Sequence, residues 1–537
     1  MGMSDEQEKI GGLTRRDFLQ MSGLGMAGLF LAGTPEFGQA AEKKPKYGGL
    51  LRVGERYGSP GLDAHKNQDM MDYQNYCLMY GGLTEMGRLP QVEMNPMLAK
   101  SWEISKDGQE YIFALREGVK FHHGKEMDSG DVKYSLERVM NPATRSPRAF
   151  AFQWVESVQV IDKYHLKIRL KEPYAPFLTT LTVHICAIIP AGWEPTGTKP
   201  APGTGPFALK SFVPNETTEF TRFDRYWEVD EKTGDRLPYL ESIHVKKVLD
   251  DGVRFNALRA GDLDYVATPP LNIMAKAFME KPFPGIFMDY ESVGNNWIFF
   301  NVSKPPFDNK KVRQAVGHAI DKKDVVKAIY WGLGEVVNNQ PFLNRSPFYI
   351  PVEDREVDIA RAKQLLAEGG YPSGFKTEFI ETPVSYDTGG CEATIGQLKA
   401  LGIDATMKVI DRAAYWPLLR KGDYTLSFRG DSERYEWDDA YYMFLHSKEI
   451  GKSNFSRYAN PEMDALLEKG RMTLKGEERV EIYRRVVEII KEDLPHLYVS
   501  KPVVGVAFRE NVRGYRKGFS VRFSWYGGGI RYIWMEK

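Results

Sequence analysis

Apolar and polar positions repeat along this chain with two different periods, and the changes of period mark out its elements. "VIDKYHLKIRLKEP" alternates with a period of two from His165 to Leu170, as a half-buried hairpin strand does. "YIFALREGVKFHHGKEM" alternates likewise until Gly124 breaks it, and "DVKYSLERVM" then takes helical spacing, with Asp131 near its start and Pro142 beyond its end. Upstream, "GGLLRVGERYGSPGLDAH" reads as a short strand running into a Gly/Pro turn. Pro190 to Gly205 is dense in Pro and Gly, a candidate crossover between domains, and strand character resumes in "GPFALKSFVPNETTEFTRFDRYW". Long helices come later. Asp308 to Tyr330 is expected as one helix, with Val312, Ala315, Val316, Ala319 and Ile320 on one face and Gly332 as its stop. Ile359 to Glu368 is closed by Gly369-Gly370, and Asn460-Pro461 caps and opens helices that end before Pro495. Strands and helices are mixed throughout, which gives an α/β class with more than one lobe.

The first residues carry a different pattern. "TRRDFLQMSGLGMAGLFLAG" contains G-x-G-x-x-G at Gly23, Gly25 and Gly28, but no strand precedes it and Pro35 follows it. A dinucleotide loop needs a strand before the first glycine and a helix after the last, so that reading fails. The same stretch fits an export signal. The apolar run Met21 to Leu31 is shorter than the ~20 residues of a membrane span, and Gly38-Gln39-Ala40 offers small residues before a cut between Ala40 and Ala41. Thr14 to Gln20, with Arg15 and Arg16 adjacent, closely resembles the twin-arginine export motif, which implies the twin-arginine translocase as a partner. No cysteine stands near the cut, so the leader is not of the lipoprotein kind.

Composition narrows the partners. The 537 residues hold 72 basic and 72 acidic side chains, so no global field favours nucleic acid or an anionic membrane. Cys77, Cys186 and Cys391 are too few and too scattered for a disulfide framework. Nine histidines are dispersed; His122 and His123 touch, but neighbours on a strand point to opposite faces, which disfavours a shared metal. H-E-x-x-H, G-x-S-x-G and Walker motifs are all missing. The expectation is no cofactor, no metal and no catalysis. A secreted hydrolase using Asp438 or Glu433 remains as the rival from another class.

A series of longer strings is more specific. "NPMLAKSWEISKDGQEYIFALREGVKFHHGKEMDSGDVKYSLERVMNP", "GTGPFALKSFVPNETTEFTRFDRYW", "RFNALRAGDLDYV", "FFNVSKPPFDNKKVRQAVGHAIDKKDVV" and "FSRYANPEMDALLEKGRMTLKGEERVEIYRRVVEIIKEDLP" occur in this order. Together they resemble the family-5 solute-binding proteins of ABC importers, over roughly residues 48–510. The resemblance implies a type II periplasmic-binding-protein fold, two lobes that close like a flytrap on a solute, with an extra inserted domain. It implies lobe I from 41–85, 201–295 and 499–537, the insert at 86–200 and lobe II at 296–498. It also implies a periplasmic, soluble, monomeric protein that delivers a short peptide or amino-acid-derived solute to permease subunits. Nickel chelates, opines, oligosaccharides and haem are bound by other branches.

Carried over residue by residue, the family's ligand contacts fall at Tyr57, Gly58 and Ser59 and along "FRGDSERYEWDDAYYM". The candidates there are Arg429, Gly430, Asp431, Glu433, Arg434, Tyr435, Trp437 and Asp438, with Trp416 as a further wall. The family's Gly-Trp and Asp-Pro pairs are absent from this loop, so Asp431, Glu433 and Asp438 all stay open as partner of a ligand ammonium. Both charge signs beside aromatics suit a zwitterion.

Overall fold

Three sheets organise the chain in the computed structural model, which describes residues 43–66, 70–87, 94–182, 186–279, 283–292, 294–382, 385–431, 434, 436–516 and 526–536. For residues 70–73, 279, 385–387, 412 and 526–528 it describes the backbone alone. The expected leader, with Arg15, Arg16, Ala40 and Ala41, lies outside the described residues, as do Glu433 and Tyr435.

The first sheet has seven strands, in the order Ile286–Ser292, Val503–Arg509, Tyr265–Ala267, Leu50–Glu55, Ser242–Lys247, Thr217–Arg222 and Phe207–Val213. Leu50–Glu55 lies parallel to both its neighbours. The second sheet has six: Glu335–Val336, His496–Lys501, Asn295–Phe300, Leu426–Asp431, Lys376–Glu381 and Asp404–Val409. A four-stranded antiparallel sheet, Ala99–Ile104, Glu110–Leu115, His165–Leu170 and Val155–Val160, interrupts the first sheet in the sequence, between Leu50–Glu55 and Phe207–Val213. Its alternation is as expected. Leu166, Ile168 and Leu170 are buried, while His165, Lys167 and Arg169 are only partly covered.

The chain passes from the first sheet to the second between Ser292 and Asn295, and returns at Pro502. The boundary expected after residue 498 falls inside the strand His496–Lys501, which pairs within the second sheet. Both faces of that sheet are covered. Ile298, Phe300 and Phe428 pack into one core, and Trp297, Phe299 and Tyr498 into the other.

Capping fixes the helices. Asp128 caps Ser129–Met140 in a reciprocal box with Asp131, and Asn460 caps Pro461–Met472. The single helix expected from Asp308 to Tyr330 is two, Lys310–Ala319 and Lys322–Tyr330. Ile320 is extended, and the Asp321 carboxylate accepts from the amides of Lys323 and Asp324 to start a new helix. The apolar stripe crosses the break, so periodicity alone misses it.

Candidate functional site

The strand Leu426–Asp431 is central in the second sheet and sets the site. Period-two alternation sends Leu426 and Phe428 into one core and Ser427 and Arg429 to the opposite face. Over that face lies the helix Arg412–Lys421, capped by Asp411 and ended by Gly422 at φ 75°. The Tyr415 and Ser427 hydroxyls, 2.5 Å apart, pin this helix to the strand. Pro417 lacks an N–H and so removes the helical donor to the Ala413 carbonyl on the same wall.

Between this helix and Trp437–Leu445 runs a cleft of ≈ 540 Å³. Trp416, Pro417, Met443, Phe444 and Phe455 supply its apolar surface, and Arg420, Arg429, Asp431, Arg434 and Lys452 its charge. The Arg429 guanidinium lies 4.4 Å from the Trp416 ring centroid, 5.1 Å from that of Phe455 and 5.6 Å from that of Phe299. Only 5% of Arg429 is exposed. Its Nη2 stands 3.4 Å from Asp431 Oδ1, while Nη1 is buried with no hydrogen-bond partner among the described residues. A buried cation so thinly matched leaves a strong demand for an oxyanion.

Arg434 bridges Asp431 and Asp439, at 2.7 and 3.1 Å, and stacks 5.0 Å from the Phe444 ring. Burial pulls its pKa down, but the two carboxylates outweigh burial and the net shift is upward. Asp431 is thus held by two arginines at the mouth of the cleft.

Of the expected site residues, Trp416, Arg429, Asp431 and Arg434 meet in this cleft, with Gly430 between two of them on the strand. The others stand elsewhere. Trp437 is a core residue. It donates from Nε1 to the Phe348 carbonyl at 2.7 Å and stacks on Tyr483. Asp438 is buried in a two-pronged pair with Arg471 and accepts from the Tyr174 hydroxyl at 3.3 Å. Beside it Glu436 pairs with Arg479.

Tyr57, Gly58 and Ser59 line a separate crevice on the first sheet of only ≈ 10 Å³, the size of one water. Gly58 is required there, since a Cβ would sit 2.4 Å from the Asn215 backbone. Arg420, Phe444, Lys452 and Phe455 join the cleft without having been singled out in the sequence. Arg420 had a signal, one helical turn after Trp416. Phe455 had none, since only the fold brings its loop to Arg429.

Residues 93–452 match the family described as bacterial extracellular solute-binding proteins, family 5 Middle. The chain belongs to this family. Heme-binding protein A of Haemophilus influenzae is 30% identical over 81% of this chain and 84% of its own length. The glutathione-binding protein GsiB of Pectobacterium atrosepticum is 28% identical, covering 84% and 88%. The periplasmic binding protein DppA of Helicobacter pylori, solved with the peptide STSA, superposes with a TM-score of 0.74 at 26% identity over 92% of this chain and 99% of that one. The two large sheets joined by two crossings are the type II periplasmic-binding-protein fold, and the chain is a family-5 solute-binding protein.

Proposed function

We propose that this family-5 protein captures a short peptide or amino-acid-derived solute in the Trp416–Arg429 cleft and delivers it to the permease subunits of an ABC importer. The observation that carries the reading is Arg429, boxed by three aromatic rings with an unmatched nitrogen on the cleft. A ligand carboxylate satisfies it, and Trp416 and Phe455 give walls for an attached side chain. The peptide in the Helicobacter pylori complex and the glutathione in the name of the Pectobacterium relative both carry such groups.

The role is binding, not bond-making. The polar groups here are three arginines, Lys452, Ser453 and a carboxylate already paired with two of the arginines, a set that favours holding charge over shuttling protons. The four-stranded sheet reads as the inserted domain, and the crossings between Ser292 and Asn295 and at Pro502 as the hinge about which the lobes close. The twin-arginine leader, cut between Ala40 and Ala41, delivers a soluble monomer to the periplasm.

Native mass spectrometry of the protein from its own host tests the reading. A retained peptide or amino-acid derivative is expected. A retained haem, sugar or metal chelate would replace the peptide, and turnover of added peptides would replace binding with hydrolysis.

A further inference from the structure

The charge on the cleft wall is unequal. Among the described residues, Arg420, Arg429, Arg434 and Lys452 line it, against one lining carboxylate, Asp431. Asp431 is already divided between Arg434 at 2.7 Å and Arg429 at 3.4 Å. Lys452 reaches Glu449 at 3.3 Å, and Arg420 makes no ion pair among the described residues. Asp439 also pairs with Arg434 and Glu449 with Lys452, so among the described residues the four cations meet three carboxylates, an excess of one positive charge; Glu436 and Asp438 are taken up by Arg479 and Arg471 outside the cleft.

A simple zwitterion brings one carboxylate and one ammonium, which leaves this surplus of cations as it was. We propose that the cleft selects a net-anionic solute, with at least two carboxylates and no more than one amine. This inference rests on the cleft being the solute site. One carboxylate takes Arg429 Nη1, and the apolar part of the solute lies on Trp416 and Phe455. The second carboxylate turns towards Arg420 and Lys452. Trp416 and Arg420 are four residues apart on one helix, about 6 Å of rise, so the aromatic wall and this cation stand one turn apart along the same side of the cleft. The same surplus repels a cationic peptide, since a like charge brought into a desolvated site is disfavoured more strongly than in water.

The test is calorimetric titration of the purified full chain with three tripeptides, Glu-Ala-Glu, Ala-Ala-Ala and Lys-Ala-Lys, at low and raised salt. Glu-Ala-Glu is expected to bind about 10-fold or more tighter than Ala-Ala-Ala, with Lys-Ala-Lys weakest, and salt should narrow the spread. Arg429→Gln should weaken Glu-Ala-Glu roughly 30-fold or more. Arg420→Gln, at an exposed position, should reduce the preference for Glu-Ala-Glu over Ala-Ala-Ala several-fold. Equal affinity for the three tripeptides, or a preference untouched by both substitutions, overturns the inference and leaves the solute-binding reading standing. If none of the three binds, the peptide reading fails and the inference fails with it.

Discussion

Arg471 Nε and Nη2 lie 3.0 and 2.9 Å from the two carboxylate oxygens of Asp438, and both side chains are almost fully buried. The pair links the helices Trp437–Leu445 and Pro461–Met472. Tyr174, from the segment after His165–Leu170, adds its hydroxyl to Asp438, and the backbone N–H of Ala175 donates to the Arg471 carbonyl at 2.8 Å. The guanidinium also stacks 3.3 Å from the Tyr442 ring centroid. An acid matched on both oxygens is a strut of the fold.

Asp438→Asn leaves that guanidinium buried without a counter-charge. The expected loss is about 3–5 kcal/mol of unfolding free energy, read by urea denaturation with an unchanged m-value. Solute affinity should move by less than about 3-fold, within the scatter of an indirect effect. A large fall in affinity with unchanged stability would reassign Asp438 to the ligand.

How far the sequence discloses this site follows from what its patterns measure. Local spacing reports which face a residue takes, so the strand through Arg429 and the capped helices were legible. It does not report what lies opposite that face. Trp437 and Asp438 have the composition of a binding loop, yet the helix they open turns them inward onto Tyr483 and Arg471. Phe455 reaches Arg429 only through tertiary packing. The break at Ile320-Asp321 was written in the sequence as an Asp cap with Asp324 three residues on, but the continuous apolar stripe hid it.

Trp416 is half-buried and covers the outer side of Arg429. Trp416→Ala removes that ring from both the guanidinium and the cleft. We expect a cost of about 1–2 kcal/mol in solute binding, roughly 5- to 30-fold in Kd, by calorimetry. The melting temperature should shift by only a few degrees, since the ring is not part of the continuous core. A collapse of stability with intact binding would make Trp416 a packing residue.

Export is tested apart from binding. Replacing Arg15 and Arg16 together by Lys keeps the charge of the leader but not the paired guanidinium groups. Uncut precursor should accumulate in the cytoplasm, seen by fractionation and by N-terminal sequencing that no longer starts at Ala41. Normal export of the double variant would remove the twin-arginine translocase as a partner.

Stability should fall in mild acid, and the sign follows from buried histidines. His496 is enclosed by Trp297 and Tyr498, with ring centroids 4.9 and 4.7 Å away, and burial pulls its pKa down to about 3. Burial likewise takes His65 and His122 down to about 4, against the hydrogen bonds they make to the Ala187 and Gly205 carbonyls. In the unfolded chain each titrates near 6.5, so between about pH 6.5 and 4 the unfolded state binds protons that the folded state refuses. Their contribution is whole above pH 6.5 and is lost as pH falls towards 4 and 3. Glu436 opposes them, since burial raises its carboxyl to about 7 and its protonation favours the folded state over the same window. Three histidines against one carboxyl leave a net uptake of protons on unfolding from these groups, so their contribution makes stability fall as pH drops below 6.5. Urea denaturation at pH 7.5, 6.5, 5.5 and 4.5 measures it. His496→Leu should flatten the slope by about one proton, roughly 1.4 kcal/mol per pH unit. A stability that stays level from pH 7.5 to 4.5, or a slope the variant leaves unchanged, would mean that these rings gain protons in the folded state too.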